Sequence, residues 1–479
     1  MIRAIDRLRA SRGGEMLCTY FKGIWYPVTV AVLVLVGHLF SVEFFLAALN
    51  VFLITLALLV CDSARPCIIF VLSFVYTVSV KHAPGVPTFS DYYFTSWRLV
   101  GVIILGAMLL AGVVYFILKN RIFAGIDIRK TPLLIPLLVL SAAFALNGAF
   151  SSDWSLSDLV FGVAEAAVYT LIYLFFLFGL KKERAGELCK YFTYVSAVVA
   201  VILIVEVAAL YISGGVIVDG SADKNKILFG WGIWNTAGVA LAALIPMCFL
   251  GAMRGGHSWA YFMIAVLDML AVVLTLSRNS ILFGALAFAV CAVALCFVGR
   301  YKRIYRFVVA AGVVLVLCVG ALAWDKISTL VSDLIERGFS DNGRYTLWQT
   351  GIDNFLASPV FGIGFFGFVS DTFIAADFLP NMAHQTFVQI LSAMGAVGMC
   401  AYLYYRVATL LPFVKRPCAE KLMLLGSVLV MLGESLLDNF IFYFLPVLHY
   451  TVAIVIAVML YNEQRTGACE IKDGISNAE

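Results

Sequence analysis

Apolar runs long enough to cross the hydrocarbon of a bilayer recur along the whole of this sequence, and nothing else limits its fold as severely. A helix needs about 20 residues to span ~30 Å of lipid. Lipid offers no partner to a bare backbone N–H or C=O, so a spanning segment is either a helix or part of a closed barrel. Barrel strands alternate in polarity every second residue. These runs are continuously apolar, which predicts an all-α, polytopic bundle of about fourteen helices, within a range of twelve to fourteen. The spans read as 24–40, 44–60, 67–80, 99–118, 133–150, 159–180, 191–212, 236–252, 259–276, 281–298, 307–324, 386–405, 422–437 and 441–461. The run at 67–80 is the shortest. With 63% hydrophobic and 13% charged residues, against roughly 45–50% and about 25% in soluble domains, the chain is expected to be an integral membrane protein.

Lys and Arg concentrate in cytoplasmic loops of such proteins. With the N-terminus inside, 25 of the 33 basic residues fall on the inner side, so both termini are expected in the cytoplasm. The organisation reads as a cytoplasmic segment 1–23, eleven spans over 24–324, a large extracytoplasmic loop 325–385 acting as a catalytic lid, three spans over 386–461 and a polar cytoplasmic tail 462–479. The net charge of +4 follows from this bias and suggests no nucleic-acid partner. None of the eleven cysteines falls in an expected outer loop, and no Cys or His spacing suits a metal. The first apolar run lacks a small-residue cleavage site, so it reads as a membrane helix and not a removed leader.

Inner connections are short and basic, whereas the outer side carries longer segments at 81–98, 213–235 and 325–385. Binding and catalytic groups usually sit on loops held by a rigid scaffold. In the largest, residues 327–337 have the apolar spacing of one helical stripe. A second short helix is expected over 345–356, ending before Pro359. Gly362, Gly364 and Gly367 in VFGIGFFGF then suggest a tight turn in which backbone approaches a ligand or a neighbouring helix.

Three residues carry candidate chemistry. Arg278, in LTLSRNSILF, lies at an outer boundary that disfavours positive charge. Its guanidinium suits a phosphate or carboxylate in bidentate geometry; the alternative is a snorkelling arginine paired with an acid such as Asp325. Arg344, in SDNGRYTLW, opens an expected helix whose N-terminal amides add positive potential toward an anion; the alternative is a solvated surface arginine. His384 closes the loop, where an imidazole can take a proton from a sugar hydroxyl or simply sit hydrogen-bonded at a helix start. Glu434 and Asp438, in LGESLLDNF, can meet the same pocket. Glu165, Glu206 and Asp268 are mid-span charges that should face the bundle interior or a wet cavity. His38 and His449 read as contacts between helices, and His257 faces the cytoplasm. Tyr92, Tyr93, Trp97, Trp231 and Trp234 can stack on sugar rings, although an interfacial belt is the commoner use.

SRNS at the head of a span, the NGRYTLWQTGIDNFLASPVFGIGFFGF block and the AHQTFVQILSAMGAVGM block together resemble the signature region of the O-antigen ligase and polymerase superfamily of bacterial membrane glycosyltransferases. The resembling region runs from about residue 274 to residue 398. The resemblance implies a GT-C-like helical enzyme of the bacterial inner membrane, working on the extracytoplasmic face without a metal, nucleotide sugar or other cofactor. Its donor would be an undecaprenyl-diphosphate-linked oligosaccharide. The acceptor would be lipid A core in a ligase, or another carrier-linked glycan in a polymerase of O-antigen or capsular polysaccharide. Arg278 and Arg344 match the arginines that hold the donor diphosphate, and His384 matches the histidine that acts on the acceptor hydroxyl. Gln385 stands where the family often has Asn, and keeps an amide in the pocket. Two arginines offset the leaving diphosphate's charge and an imidazole takes the proton, so direct attack would invert the anomeric centre. The extra spans and Gln385 lean the reading toward a polymerase, for which a chain-length regulator and a flippase are the implied partners. The rival reading is a flippase of lipid-linked oligosaccharide, a class with internal repeats, broken helices and short outer loops; a non-catalytic envelope scaffold is a third.

Overall fold

The computed structural model describes residues 6–7, 9–80, 92–124, 126–213, 216–218, 221–222, 226–229, 232–254, 256–322, 324, 343–368, 383–438 and 444–466. The helix expected at 327–337, Asp325, Trp231 and the tail beyond 466 lie outside these residues. In chain order the helices are α1 (Arg12–Lys22), α2 (Trp25–Phe40), α3 (Glu43–Val60), α4 (Cys67–Thr77), α5 (Ser96–Lys119), α6 (Leu134–Phe150), α7 (Leu156–Gly179) and α8 (Ala185–Ile212). They continue as α9 (Trp234–Met253), α10 (Ser258–Leu274), α11 (Arg278–Phe297), α12 (Lys302–Leu322), α13 (Arg344–Ala357), α14 (Thr386–Val414), α15 (Ala419–Glu434) and α16 (Phe444–Thr466). Two small antiparallel hairpins between α8 and α9 pair Ile217–Val218 with Ser221–Ala222 and Leu228–Phe229 with Gly232–Ile233.

The chain is an all-α, multi-pass membrane protein. Each expected span coincides with a helix, but a count of fourteen crossings is not established. Among the described residues nine helices are long and apolar enough to cross alone, and α1 with α2, bent by 69°, makes a tenth candidate. α4 has 11 residues, roughly 16 Å at 1.5 Å per residue, half of what a crossing needs. It is wholly enclosed by other helices instead, with nine of its residues buried.

The bundle is built around α9, in which every side chain from Ala237 to Met253 is buried except Ala240. Helices α8, α10, α11 and α15 pack on it. Lipid-embedded helices gain from close backbone approach through small residues, and here a Cβ added at Gly238 would stand 2.5 Å from Ser280 Oγ of α11. Ser427 of α15 donates to Ala243 O at 2.5 Å and bonds His449 Nε2 of α16 at 2.9 Å, so His449 is the interhelical contact expected of it. By contrast α5 and α12 are only 11% and 6% buried over their apolar windows; they lie at the edge, with apolar side chains facing outward.

α14 departs most from regularity. It runs to Val414, past the expected 405, so Arg406 lies within a helix. At Gly395 the helix breaks, with φ 61° and ψ −160°. A break frees backbone groups that lipid cannot satisfy, so it is tolerated only where protein covers it. The segment after α13 does this. Ile363 N and Gly364 N donate to Ser392 O and Ala393 O at 2.9 and 3.1 Å, while Ala396 N and Val397 N donate to Pro359 O and Val360 O at 2.8 and 3.2 Å. Asn147 Nδ2 of α6 also donates to Ala393 O and, at 2.5 Å, to Phe361 O. The expected glycine turn therefore meets a neighbouring helix. Gly362 and Gly364 have φ of 71° and 99°, and a Cβ at Gly362 would lie 2.4 Å from the Ala393 carbonyl carbon.

Gly362→Ala and Gly395→Ala should each destabilise the protein by on the order of 3 kcal/mol, since left-handed strain adds to a backbone collision. Gly312→Ala, where an added Cβ meets nothing within 4 Å, should leave thermal unfolding in detergent unchanged or raise it slightly. Equal melting of all three would remove the clip from the account.

Candidate functional site

The N-terminal ends of α9, α11, α13 and α14 meet the C-terminal end of α15 at one end of the bundle. Each approach is fixed by a specific contact. Thr386 N at the head of α14 donates to Ser435 O just past α15, and Thr386 Oγ1 donates to Asp438 O. Gly433 of α15 faces the Phe283 ring of α11, and Ser280 of α11 meets both Gly238 of α9 and the Glu434 carboxyl.

His384 and Asp438 come together here from 54 residues apart, with Nδ1 3.1 Å from Asp438 Oδ1. The second carboxylate oxygen, Oδ2, accepts from Asn235 Nδ2 of α9 at 3.1 Å. Both oxygens are thus engaged, and the imidazole is oriented through one nitrogen. A carboxylate on Nδ1 favours the tautomer with its hydrogen there and the lone pair on Nε2. His384 is held in a left-handed backbone conformation, φ 51°, a rare state for a residue with a side chain. Its neighbours fix that turn: Gln385 Oε1 accepts from Val388 N at 2.5 Å and Gln389 Oε1 accepts from Ala383 N at 2.7 Å. The Gln385 amide serves as the cap of α14, a different use from the pocket role the sequence suggested.

Arg344 is the first residue of α13, preceded by Gly343 at φ 79°. Helix α13 spans 344–357, close to the expected 345–356. Leu347 packs with Ala383 and Val388, a Cβ at Gly351 would touch Val388 Cγ1, and Asn354 Nδ2 donates to Ser392 Oγ at 3.2 Å. Contacts advance together along both helices, so α13 runs parallel to α14 and brings Arg344 to the His384 end.

Arg278 is exposed and opens α11 two residues after Leu276, which has φ 57°. Behind it Ser277 Oγ bonds Ser280 Oγ at 2.9 Å. No side chain caps α11, so its first amides remain as donors to an anion. Glu434 is buried beneath this point with Oε1 unpaired. Three cationic or proton-accepting groups, Arg278, Arg344 and His384, therefore share one end of the bundle with two carboxyls.

Of the mid-span acids, Glu206 and Asp268 are fully buried and Glu165 is partly so. Tyr93 is buried and Trp97 exposed. Two anchoring residues were not read from the sequence. Asn235 had no motif to mark it. Asp158 caps α7 through Ser155 and accepts from Phe366 N at 3.0 Å; its signal was the Ser155–Asp158 spacing, a capping box ahead of an apolar run.

The family model described as O-Antigen ligase matches residues 260–403. This segment is similar to the O-antigen ligase family. The matched segment contains Arg278, Arg344 and His384, whereas Asn235, Glu434 and Asp438 lie outside it on α9 and at the end of α15. The family segment thus depends on flanking helices to hold its histidine. No curated protein matches the chain.

If Asp438 anchors the imidazole, Asp438→Ala should raise the rate at which diethyl pyrocarbonate modifies His384, read by peptide mass spectrometry, by several-fold. Asn235→Ala should raise it less. An unchanged rate in Asp438→Ala would show that the contact does not hold the ring.

Proposed function

We propose that the chain is an extracytoplasmic glycosyltransferase that moves a glycan from an undecaprenyl-diphosphate-linked donor to an acceptor sugar hydroxyl. The observation that carries the reading is the His384–Asp438 pair at the same end of the bundle as Arg278 and Arg344, three of the four lying in the O-antigen ligase segment. The membrane-spanning fold supports a lipid-linked substrate, which reaches such a site from the bilayer.

In this mechanism the donor diphosphate lies against Arg278 and Arg344, with the first amides of α11 and α13 adding to the positive potential. The acceptor hydroxyl hydrogen-bonds His384 Nε2. As oxygen attacks the anomeric carbon, its proton passes to Nε2 and the bond to the diphosphate oxygen breaks on the opposite side, inverting the configuration. Asp438 stabilises the imidazolium that forms, and the two guanidinium groups take the charge growing on the leaving diphosphate. The arginines fill the charge-stabilising part that a metal ion plays in other transferases.

The break in α14 is a feature transporters share, but here the chain's own residues 359–364 fill it through backbone hydrogen bonds on both sides. That clamp favours a fixed scaffold over an alternating one, and so favours the enzyme over a flippase. Between the two enzyme activities, we keep the polymerase as the working choice.

Purified protein in nanodiscs should transfer glycan from a lipid-linked oligosaccharide. His384→Ala and Arg344→Ala should each lower the rate by about 10²–10³-fold, the usual cost of losing a general base or a charge-stabilising donor. Asp438→Asn should lower it at least tenfold with little change in donor binding. Transfer at the wild-type rate by both alanine variants would sink the proposal. Supplying a second carrier-linked glycan or lipid A core as acceptor separates polymerase from ligase. Labelled donor crossing vesicle membranes with no transfer would point to the flippase instead.

A further inference from the structure

One charge in the bundle interior plays no part in the mechanism above. Arg406 lies on α14, partly buried, with its guanidinium carbon 4.5 Å from the ring centre of Tyr450, 4.7 Å from Tyr402 and 5.6 Å from Tyr405. These rings come from two helices and all three are buried. Their faces attract a cation, which offsets part of the cost of removing it from water. They leave its hydrogen-bond donors unused, because a ring face accepts poorly and a guanidinium has five N–H groups.

Among the described residues no carboxylate pairs with Arg406, and its Nε is enclosed without a hydrogen-bond partner. Glu165 is the described mid-span acid on α7, which reaches the same cavity through Tyr169, and it makes no ion pair with Arg406. An unpaired cation among membrane helices is costly, and such residues usually find a counter-charge. Arg406 also lines a small cavity with Tyr169, Leu432, Ser435 and Tyr450, whose volume open to a water-sized sphere is about 20 Å³. The space has room for a monatomic ion beside the guanidinium.

We propose that the cavity beside Arg406 is a binding site for a single halide ion, chloride in the cell, which neutralises the guanidinium and ties α14 to α15 and α16. Ser435, which lines the cavity and whose carbonyl accepts from Thr386 N, stands between it and the His384–Asp438 pair. The halide site thus stands or falls independently of the transferase reading.

The full chain in detergent, with gluconate as the sole anion, is titrated with chloride or bromide at constant ionic strength while unfolding is followed by tryptophan fluorescence. Wild type should show a saturable rise in melting temperature with either halide. Arg406→Lys keeps the charge and should keep a weaker response, while Arg406→Gln should lose it; Arg344→Ala should respond as wild type does. Bromide should also give a density feature within contact distance of the guanidinium in a structure determined in bromide. Melting in chloride equal to that in gluconate, or a full halide response in Arg406→Gln, overturns the site. Should Arg406→Gln fail to fold, the wild-type titration and the bromide structure still decide the matter.

Discussion

Backbone polar groups in lipid must find partners inside the protein, and the break of α14 at Gly395 shows how much of this structure rests on that constraint. Without residues 359–364 the carbonyls of Ser392 and Ala393 and the amides of Ala396 and Val397 would be stranded. With them, α13 is fastened parallel to the first half of α14, and Asn147 of α6 and Asp158 of α7 are drawn to the same junction. A single irregular point in one helix therefore sets the positions of three others. It also explains why the segment joining α13 to α14 needs glycine at 362 and 364: both have positive φ, and an added Cβ would strike the Ala393 backbone at 362 and the Asp158 carboxylate at 364.

The same clip aligns the chemistry. Because α13 runs alongside α14 from its head, Arg344 arrives at the end where His384 stands, and α11 brings Arg278 there through its packing on α9 and α15. The histidine itself is oriented from outside the O-antigen ligase segment, by Asp438 and, through it, Asn235. The segment with the family's likeness holds Arg278, Arg344 and His384, while the flanking helices supply the carboxylate and the amide that orient the imidazole.

Much of the helical layout was legible in the residues. Every expected apolar run became a helix, the α13 boundary fell within a residue of its expected position, and the proline and glycine punctuation around Pro359 was read correctly. Failures came where length or neighbours outweighed composition. α4 is apolar enough to read as a span but too short to be one alone, and Arg406 looked like an inner-loop cation because its charge ended an apolar run. Three tyrosine faces hold it inside the bundle, an arrangement that needs Tyr450 from another helix. In the site, Arg278, Arg344, His384 and the acids Glu434 and Asp438 could be singled out from position and chemistry. Gln385 was read as a pocket amide because nothing local showed that it would cap its own helix.

By itself the sequence determined the class of fold and singled out the charged candidates for the site, because continuous hydrophobicity leaves the helix as the only open-ended way to satisfy a backbone in lipid, and because charges are too costly there to occur at random. It could not determine which charges meet. The pairing of His384 with Asp438 and Asn235, the parallel course of α13 and the ring-lined setting of Arg406 each join residues far apart in the chain. Such contacts depend on how helices pack, and side-chain packing has no local signature; only the tertiary structure decided them.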